Sequence, residues 1–335
     1  MNKKIIALAV AFVATGANAA TIYENDQTAV SLKGEIDTYL SKYETKGVAS
    51  PKKTDADIDL WAKIQIDAKH QLNEDISVIG SFEMENGNGF LPGDNDSNSV
   101  STDDLYVGAM FGENFGIAVG EIGDFGDSLD AIIIDNTNEG VGYVDDVASR
   151  FESKGHAVSI KYATENLKLI ADTYLHQDED KDSTYGLSAA YEMAGFYAGA
   201  SYQDHGNRHA YAETNNGDNT VMGVKLGYGI GGFSIATHYV KEEINSVDVD
   251  VWGVAADYQI NDVRLYTSLY SGEVDTTKDD LDAYTVGVDY AISDNLTAFV
   301  EYSSSEGTTF VAENTPGFVK DSETDVAVAG VYYTF

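Results

Sequence analysis

The chain has 335 residues, no cysteine, 3 prolines, 32 glycines and 22 tyrosines, and it carries a formal charge of −36 at pH 7. So acidic a chain repels phosphate backbones, which excludes charge-driven nucleic-acid binding. Lacking cysteine, it has neither a disulfide framework nor a thiol nucleophile. At 43% hydrophobic residues it is too apolar for an acidic disordered tail.

The amino-terminal segment reads as an export signal. Lys3 and Lys4 precede an apolar run at residues 5–14, and Ala17-Asn18-Ala19 supplies the small-x-small pattern of a processing site. The run is shorter than the roughly 20 apolar residues of a spanning helix. The expected organisation is a signal peptide at 1–19 and one domain at 20–335.

The next segments alternate with a period of two. Over 30–39, Val30, Leu32, Gly34 and Ile36 share one face, and Ser31, Lys33, Glu35 and Asp37 the other. Over 57–69, Ile58, Leu60, Ala62, Ile64, Ile66 and Ala68 alternate with Asp57, Asp59, Trp61, Lys63, Gln65 and Asp67. One face requires water and the other lipid or a core, which a strand provides and a helix does not.

Turn-rich tetrapeptides follow at 72–75, 113–116, 164–167, 192–195, 229–232, 259–262 and 293–296. Longer polar segments lie between them at 42–54, 86–102, 121–147, 176–184, 204–220, 241–249, 271–281 and 303–323. This alternation gives about 16 up-and-down strands with short turns at one end and long loops at the other. The last segment, VAVAGVYYTF, sets Phe335, Tyr333, Val331, Ala329 and Ala327 on one face. Chain ends ordinarily fray and are polar. An aromatic terminus suits the interfacial girdle of a membrane barrel.

The predicted fold is therefore all-β, a transmembrane antiparallel β-barrel, with the bacterial outer membrane as its location. A soluble sandwich or propeller is the rival. The propeller's repeat is absent, and a sandwich neither needs about 16 strands nor accounts for the aromatic end.

A barrel of about 16 strands is too wide for side chains to fill. The segment at 121–147 places Ala131-Ile132-Ile133-Ile134 among Asp124, Asp127, Asp130, Asp135, Glu139, Asp145 and Asp146. Three isoleucines require burial, so this third loop is expected to fold into the lumen and narrow it with carboxylates. A short strand extension or a subunit contact would also bury them.

The chain resembles the Gram-negative general diffusion porins along its mature length. The resemblance rests on ATIYENDQTAVSL followed by Gly34, on Gln71-Leu72-Asn73-Glu74-Asp75-Ile76 as the first periplasmic turn, and on the last strand. It implies a homotrimer of 16-stranded barrels through which ions and small hydrophilic solutes diffuse. It also implies contact with outer-membrane lipid and lipopolysaccharide, and makes Phe335 and Tyr333 a signal for the barrel-assembly machinery. In such porins, bases on the wall face acids of the third loop. Lys63 takes a wall-base position here. Glu35, Asp104 and Glu121 stand at or near positions where the family often has a base. Arg150 or Lys154 is the candidate from the sixth strand, and Asn138-Glu139-Gly140 stands where a Pro-Glu-Phe-Gly-Gly segment is missing. An acid-rich pore concentrates cations, so a cation preference is expected.

Other readings are weaker. Asp94-x-Asp96-x-Asn98 and Asp178-x-Asp180-x-Asp182 lack the glycine and glutamate of a calcium loop. The histidines, including His205 and His209, have no HExxH-type spacing. Neither metal nor cofactor is expected, nor catalysis, since no Gly-x-Ser-x-Gly elbow occurs. A specific oligosaccharide porin, with Tyr39, Trp61 and Tyr106 as an aromatic track, is the functional alternative.

Overall fold

The computed structural model describes residues 19–47, 53–86, 100–139, 156–177, 179–207, 219–244, 247–275, 279–311 and 317–335. The signal-peptide reading therefore lies outside the described residues, apart from Ala19.

The first eight strands are β1 (Ala20–Glu24), β2 (Thr28–Lys46), β3 (Asp57–Gln71), β4 (Ile76–Asn86), β5 (Val100–Phe111), β6 (Phe115–Gly120), β7 (Ala157–Ala163) and β8 (Leu167–Tyr174). The rest are β9 (Thr184–Met193), β10 (Phe196–Gly206), β11 (Asn219–Ile230), β12 (Phe233–Ile244), β13 (Val247–Ile260), β14 (Val263–Val274), β15 (Asp279–Ser293), β16 (Leu296–Val311) and β17 (Gly317–Thr334). Each strand from β2 pairs antiparallel with the next, and β17 returns to β2. The sheet is a closed 16-stranded barrel, so each stave has a paired neighbour on both sides.

The seventeenth strand does not add a stave. β2 is 19 residues long. Its later part pairs with β17, Thr334 opposite Glu35 and Glu323 opposite Lys46. Its first part pairs with β1, Ala20 opposite Leu32. β1 and β17 thus share one stave, and Gly34 exchanges backbone hydrogen bonds with Phe335 at 2.8 and 2.9 Å. Sequence reading starts the first strand at Val30 and misses β1.

The short turns have local causes. Asn25 Oδ1 accepts the N–H groups of Gln27 and Thr28, and Asn73 Oδ1 those of Asp75 and Ile76. Such Asx turns reverse the chain in few residues. The β9–β10 turn is Ala194-Gly195, at φ 52° and 81°, the double positive φ of a two-residue hairpin.

Several expected long loops are shorter than the polar segments suggested. β12 and β13 continue through 241–249, Ile244 opposite Val247. Likewise β14–β15 enter 271–281, β16–β17 enter 303–323, and β2 runs to Lys46. A strand rising above the membrane band is polar on both faces, so polarity there does not mark the end of pairing.

Outside the barrel the large apolar side chains are exposed: Leu60 is 65% exposed, with Leu105, Leu187, Leu226, Leu269 and Val300 also on this belt. Such a belt needs lipid around it. Tyr333 and Phe335 lie on it, their rings stacked at 5.9 Å. A Cβ on Gly34 would come within 2.4 Å of Phe335 Cζ. The larger buried clusters are elsewhere, between the third loop and the inner wall.

Candidate functional site

The third loop leaves β6 after Gly120 and follows the inner wall. Ile122 and Phe125 bury with Ile79, Ala118, Ala157 and Tyr174. Pressed onto the wall, loop carbonyls lose water and need donors. Ser159 Oγ supplies one to Gly126 O at 2.8 Å, and Lys161 donates to Phe125 O while lying over its ring.

A single 3-10 turn, Ser128–Ala131, then decides which acids reach water. Asp127 precedes it and turns toward the wall. Its carboxylate accepts Leu129 N–H at 2.7 Å, Tyr174 O–H at 2.9 Å and Gln203 Nε2–H at 3.1 Å. Ser128 N–H donates to Asp172 at 2.6 Å. The wall beneath is pared to glycine where the loop presses closest. A Cβ on Gly186 would lie 2.1 Å from Ser128 Oγ, and one on Gly199 would lie 2.0 Å from Ala131 O.

Beyond the turn, Leu129 and Ile132 enter a cluster with Val221, Val240, Val251 and Tyr270. Ile133 packs against that cluster and Ile134 is buried too, so the three isoleucines bury against the wall as the loop reading expects. Ala131 O accepts Tyr197 O–H at 3.0 Å, Ile132 O accepts His238 Nδ1–H at 2.9 Å, and Ile134 O accepts Tyr270 O–H at 3.2 Å. Lys225 donates to Ile133 O. Arg264 reaches Asn136 O and Asn138 Oδ1 and pairs with Asp289 at 2.6 Å. Finally the N–H groups of Asn138 and Glu139 meet the Glu301 carboxylate, and Tyr332 O–H donates to Glu139 at 2.6 Å.

Asp124 is the loop acid that faces the opening beside β2, β3 and β5. It accepts Gln65 Nε2–H at 3.0 Å, and its own N–H donates to Asp104 at 3.2 Å. Glu83, Asp104 and Asp124 can bring one carboxylate oxygen each within 4.8 Å of one another. Lys33 lies 3.7 Å from Asp124 and 3.8 Å from Asp67, and Lys63 lies 3.4 Å from Glu83. Glu35 stands across the ladder from Lys63.

Of the sequence candidates, the structure gathers Glu35, Lys63, Asp104 and Asp124 on this side of the lumen. Asp130 sits apart, 3.8 Å from Lys168. Asp135 is exposed below the loop, and Glu139 ends the loop at Tyr332. Asp127 departs from its expected place, since it is 3% exposed and holds the loop rather than facing the opening. Arg150 and Lys154 lie outside the described residues, as does Asp94-x-Asp96-x-Asn98. Asp182 of the other acidic triplet joins Asn207 in a loop-to-loop link.

Sequence reading missed Lys33, Glu83, Lys161, Lys225, Arg264 and Glu301 as members of the site. Their inward parity was available as a signal, but their contacts were not. The bases among them are committed: Lys161, Lys225 and Arg264 hold loop carbonyls. Tyr39 is buried against Phe299 and Tyr332, Trp61 packs against that cluster and donates to Glu85 at 3.2 Å, and Tyr106 packs on Phe125. None of the three lies bare as an aromatic track would require.

The sequence matches the family described as Gram-negative porin over residues 7–309. Outer membrane protein U of Vibrio parahaemolyticus is 24% identical, with 100% of each chain covered. Among solved structures, OmpT of Vibrio cholerae in its trimer form superposes with a TM-score of 0.68 at 17% identity, covering 92% of this chain and 100% of that one. An anion-selective porin from Comamonas acidovorans gives 0.71 at 12% identity, with 92% and 100% covered. At such identities the structural likeness speaks for the fold alone.

Proposed function

The chain belongs to the Gram-negative porin family, which supports an outer-membrane diffusion channel, and from that premise we propose that it is a cation-preferring general porin and not an enzyme. The observation that carries this reading is the Glu83–Asp104–Asp124 cluster at the opening. The nearby ammonium groups of Lys33 and Lys63 are each shared with carboxylates. On the opposite wall the bases serve the loop backbone. The field at the opening is therefore negative, which raises the local cation concentration and weakens as salt screens it. Small hydrophilic solutes are the substrate class, and the packing of Tyr39 and Tyr106 favours them over an oligosaccharide track.

Reversal potentials in planar bilayers under a tenfold potassium chloride gradient test the preference. A cation-directed potential below the ~59 mV limit of a single-ion conductor is expected. A zero or anion-directed potential would overturn it.

The same reading includes a leader at 1–19, a barrel at 20–335, and Phe335 and Tyr333 as the signal recognised by the assembly machinery. Arg150, with Lys154 as its alternative, stays in the reading as a candidate base for the constriction. A homotrimer is supported by the trimer form of the structural neighbour, and the reading adds outer-membrane lipid and lipopolysaccharide around it. Semi-native gels before and after heating test it, a heat-stable band of monomer size being the contrary result.

A further inference from the structure

Below the third loop, on the short-turn side, the inner wall holds a recess of about 330 Å³ that the constriction does not use. Its size is at the small end of ligand pockets. The recess exists because inward positions of β11, β12 and β13 carry almost no side chain: Gly227, Gly229, Ala236 and Ala255 line it. Neither glycine is demanded by the backbone. Both lack positive φ, and a Cβ would meet its nearest neighbour at 3.5 Å on Gly227 and 3.8 Å on Gly229. Glycine within a strand loses side-chain packing, and one recurring reason for it is close approach of a ligand.

The walls of the recess are charged. Asp135, Glu192 and Asp257 line it, against the single ammonium of Lys225. That ammonium is already engaged by Ile133 O and lies 4.9 Å from the Tyr197 ring centroid. Lys225 and Tyr197 also pin the loop segment that roofs the space, so the recess is held open before anything enters. An excess of carboxylate over a floor of glycine, alanine and Ile134 suits one kind of guest. We propose that this recess binds small primary alkylammonium solutes, with the ammonium at the Asp257 and Asp135 carboxylates and the hydrocarbon over the small residues. A neutral alcohol of the same length lacks the charge, and a carboxylate is repelled.

The inference rests on the protein being a channel, and not on the sign of its ion preference. Saturation-transfer NMR on the detergent-solubilised full chain, with n-butylammonium, 1-butanol and butyrate as probes, tests it directly. Butylammonium should show a saturable signal that weakens with salt, while butanol and butyrate show none. Asp257→Asn, which preserves shape, should weaken the ammonium by about tenfold or more. Gly227→Leu should abolish its binding by filling the space. Equal signals from butanol and butylammonium would overturn the proposal, as would undiminished binding in Asp257→Asn. If Gly227→Leu does not fold, the Asp257→Asn comparison decides alone. A zero reversal potential in salt gradients would refute the cation preference and leave this measurement standing.

Discussion

Replacing Asp127 with alanine separates the acids that shape the loop from those that face the opening. Its carboxylate accepts Leu129 N–H, Tyr174 O–H and Gln203 Nε2–H at 2.7, 2.9 and 3.1 Å. A hydrogen bond to a charged group contributes about 1.5–3 kcal/mol, and loss of a cap alone costs about 0.5–2 kcal/mol. Three bonds sharing one carboxylate are not additive, so roughly 3–6 kcal/mol of loop docking is at stake. A loss of ~4 kcal/mol multiplies the undocked population about a thousandfold. Single-channel recordings of Asp127→Ala should therefore show noisy, variable conductance with the direction of ion preference retained. Asp124→Asn should do the opposite, lowering the cation-directed reversal potential while the current stays quiet. A quiet Asp127→Ala channel whose reversal potential falls as far as that of Asp124→Asn would refute this division.

Three further outcomes are expected. Asp104→Lys exchanges a negative for a positive charge beside Asp124, so the reversal potential should move toward or past zero, most strongly in dilute salt; an unchanged potential would remove Asp104 from the site. Deleting Phe335 should lower outer-membrane yield while surviving channels keep their conductance, and Gly34→Val should act similarly because its Cβ would lie 2.4 Å from the Phe335 ring. Equal yields on immunoblots of membrane fractions would contradict both. Ala194→Gly relieves a φ of 52° and should stabilise the barrel by about 0.5–1 kcal/mol after glycine's greater unfolded freedom is set against it, read as a higher temperature for the heat-induced gel shift.

Much of the fold was legible because a membrane barrel writes itself with a period of two. Ile58 to Ala68 against Asp57 to Asp67 fixed both the strand and its faces, since lipid and water act on alternate side chains wherever the strand lies. The Asn73 turn was equally local, as its carboxamide closes the reversal with neighbouring N–H groups. The aromatic end announced a girdle strand. The inward loop could be inferred from Ile132–Ile134, whose exposure to water would be unfavourable on any account.

What failed to show in the sequence depends on contacts between distant residues. The length of β12 and β13 was hidden by Lys241, Glu242 and Glu243, because ladder pairing above the lipid needs no apolar face. The division of one stave between Ala20–Glu24 and the last strand was hidden because β1 is too short to display a period. The roles of Asp124 and Asp127 lie only three residues apart, yet one faces the opening and the other is buried. The 3-10 turn decides that difference, and it is held by Asp172 and Tyr174 from β8 and Gln203 from β10. Sequence alone thus determined that this chain crosses a membrane as strands around a water-filled space narrowed by an acidic loop. Only the tertiary structure determined which carboxylates meet that water, because burial is a property of what packs alongside a side chain and not of its neighbours in the chain.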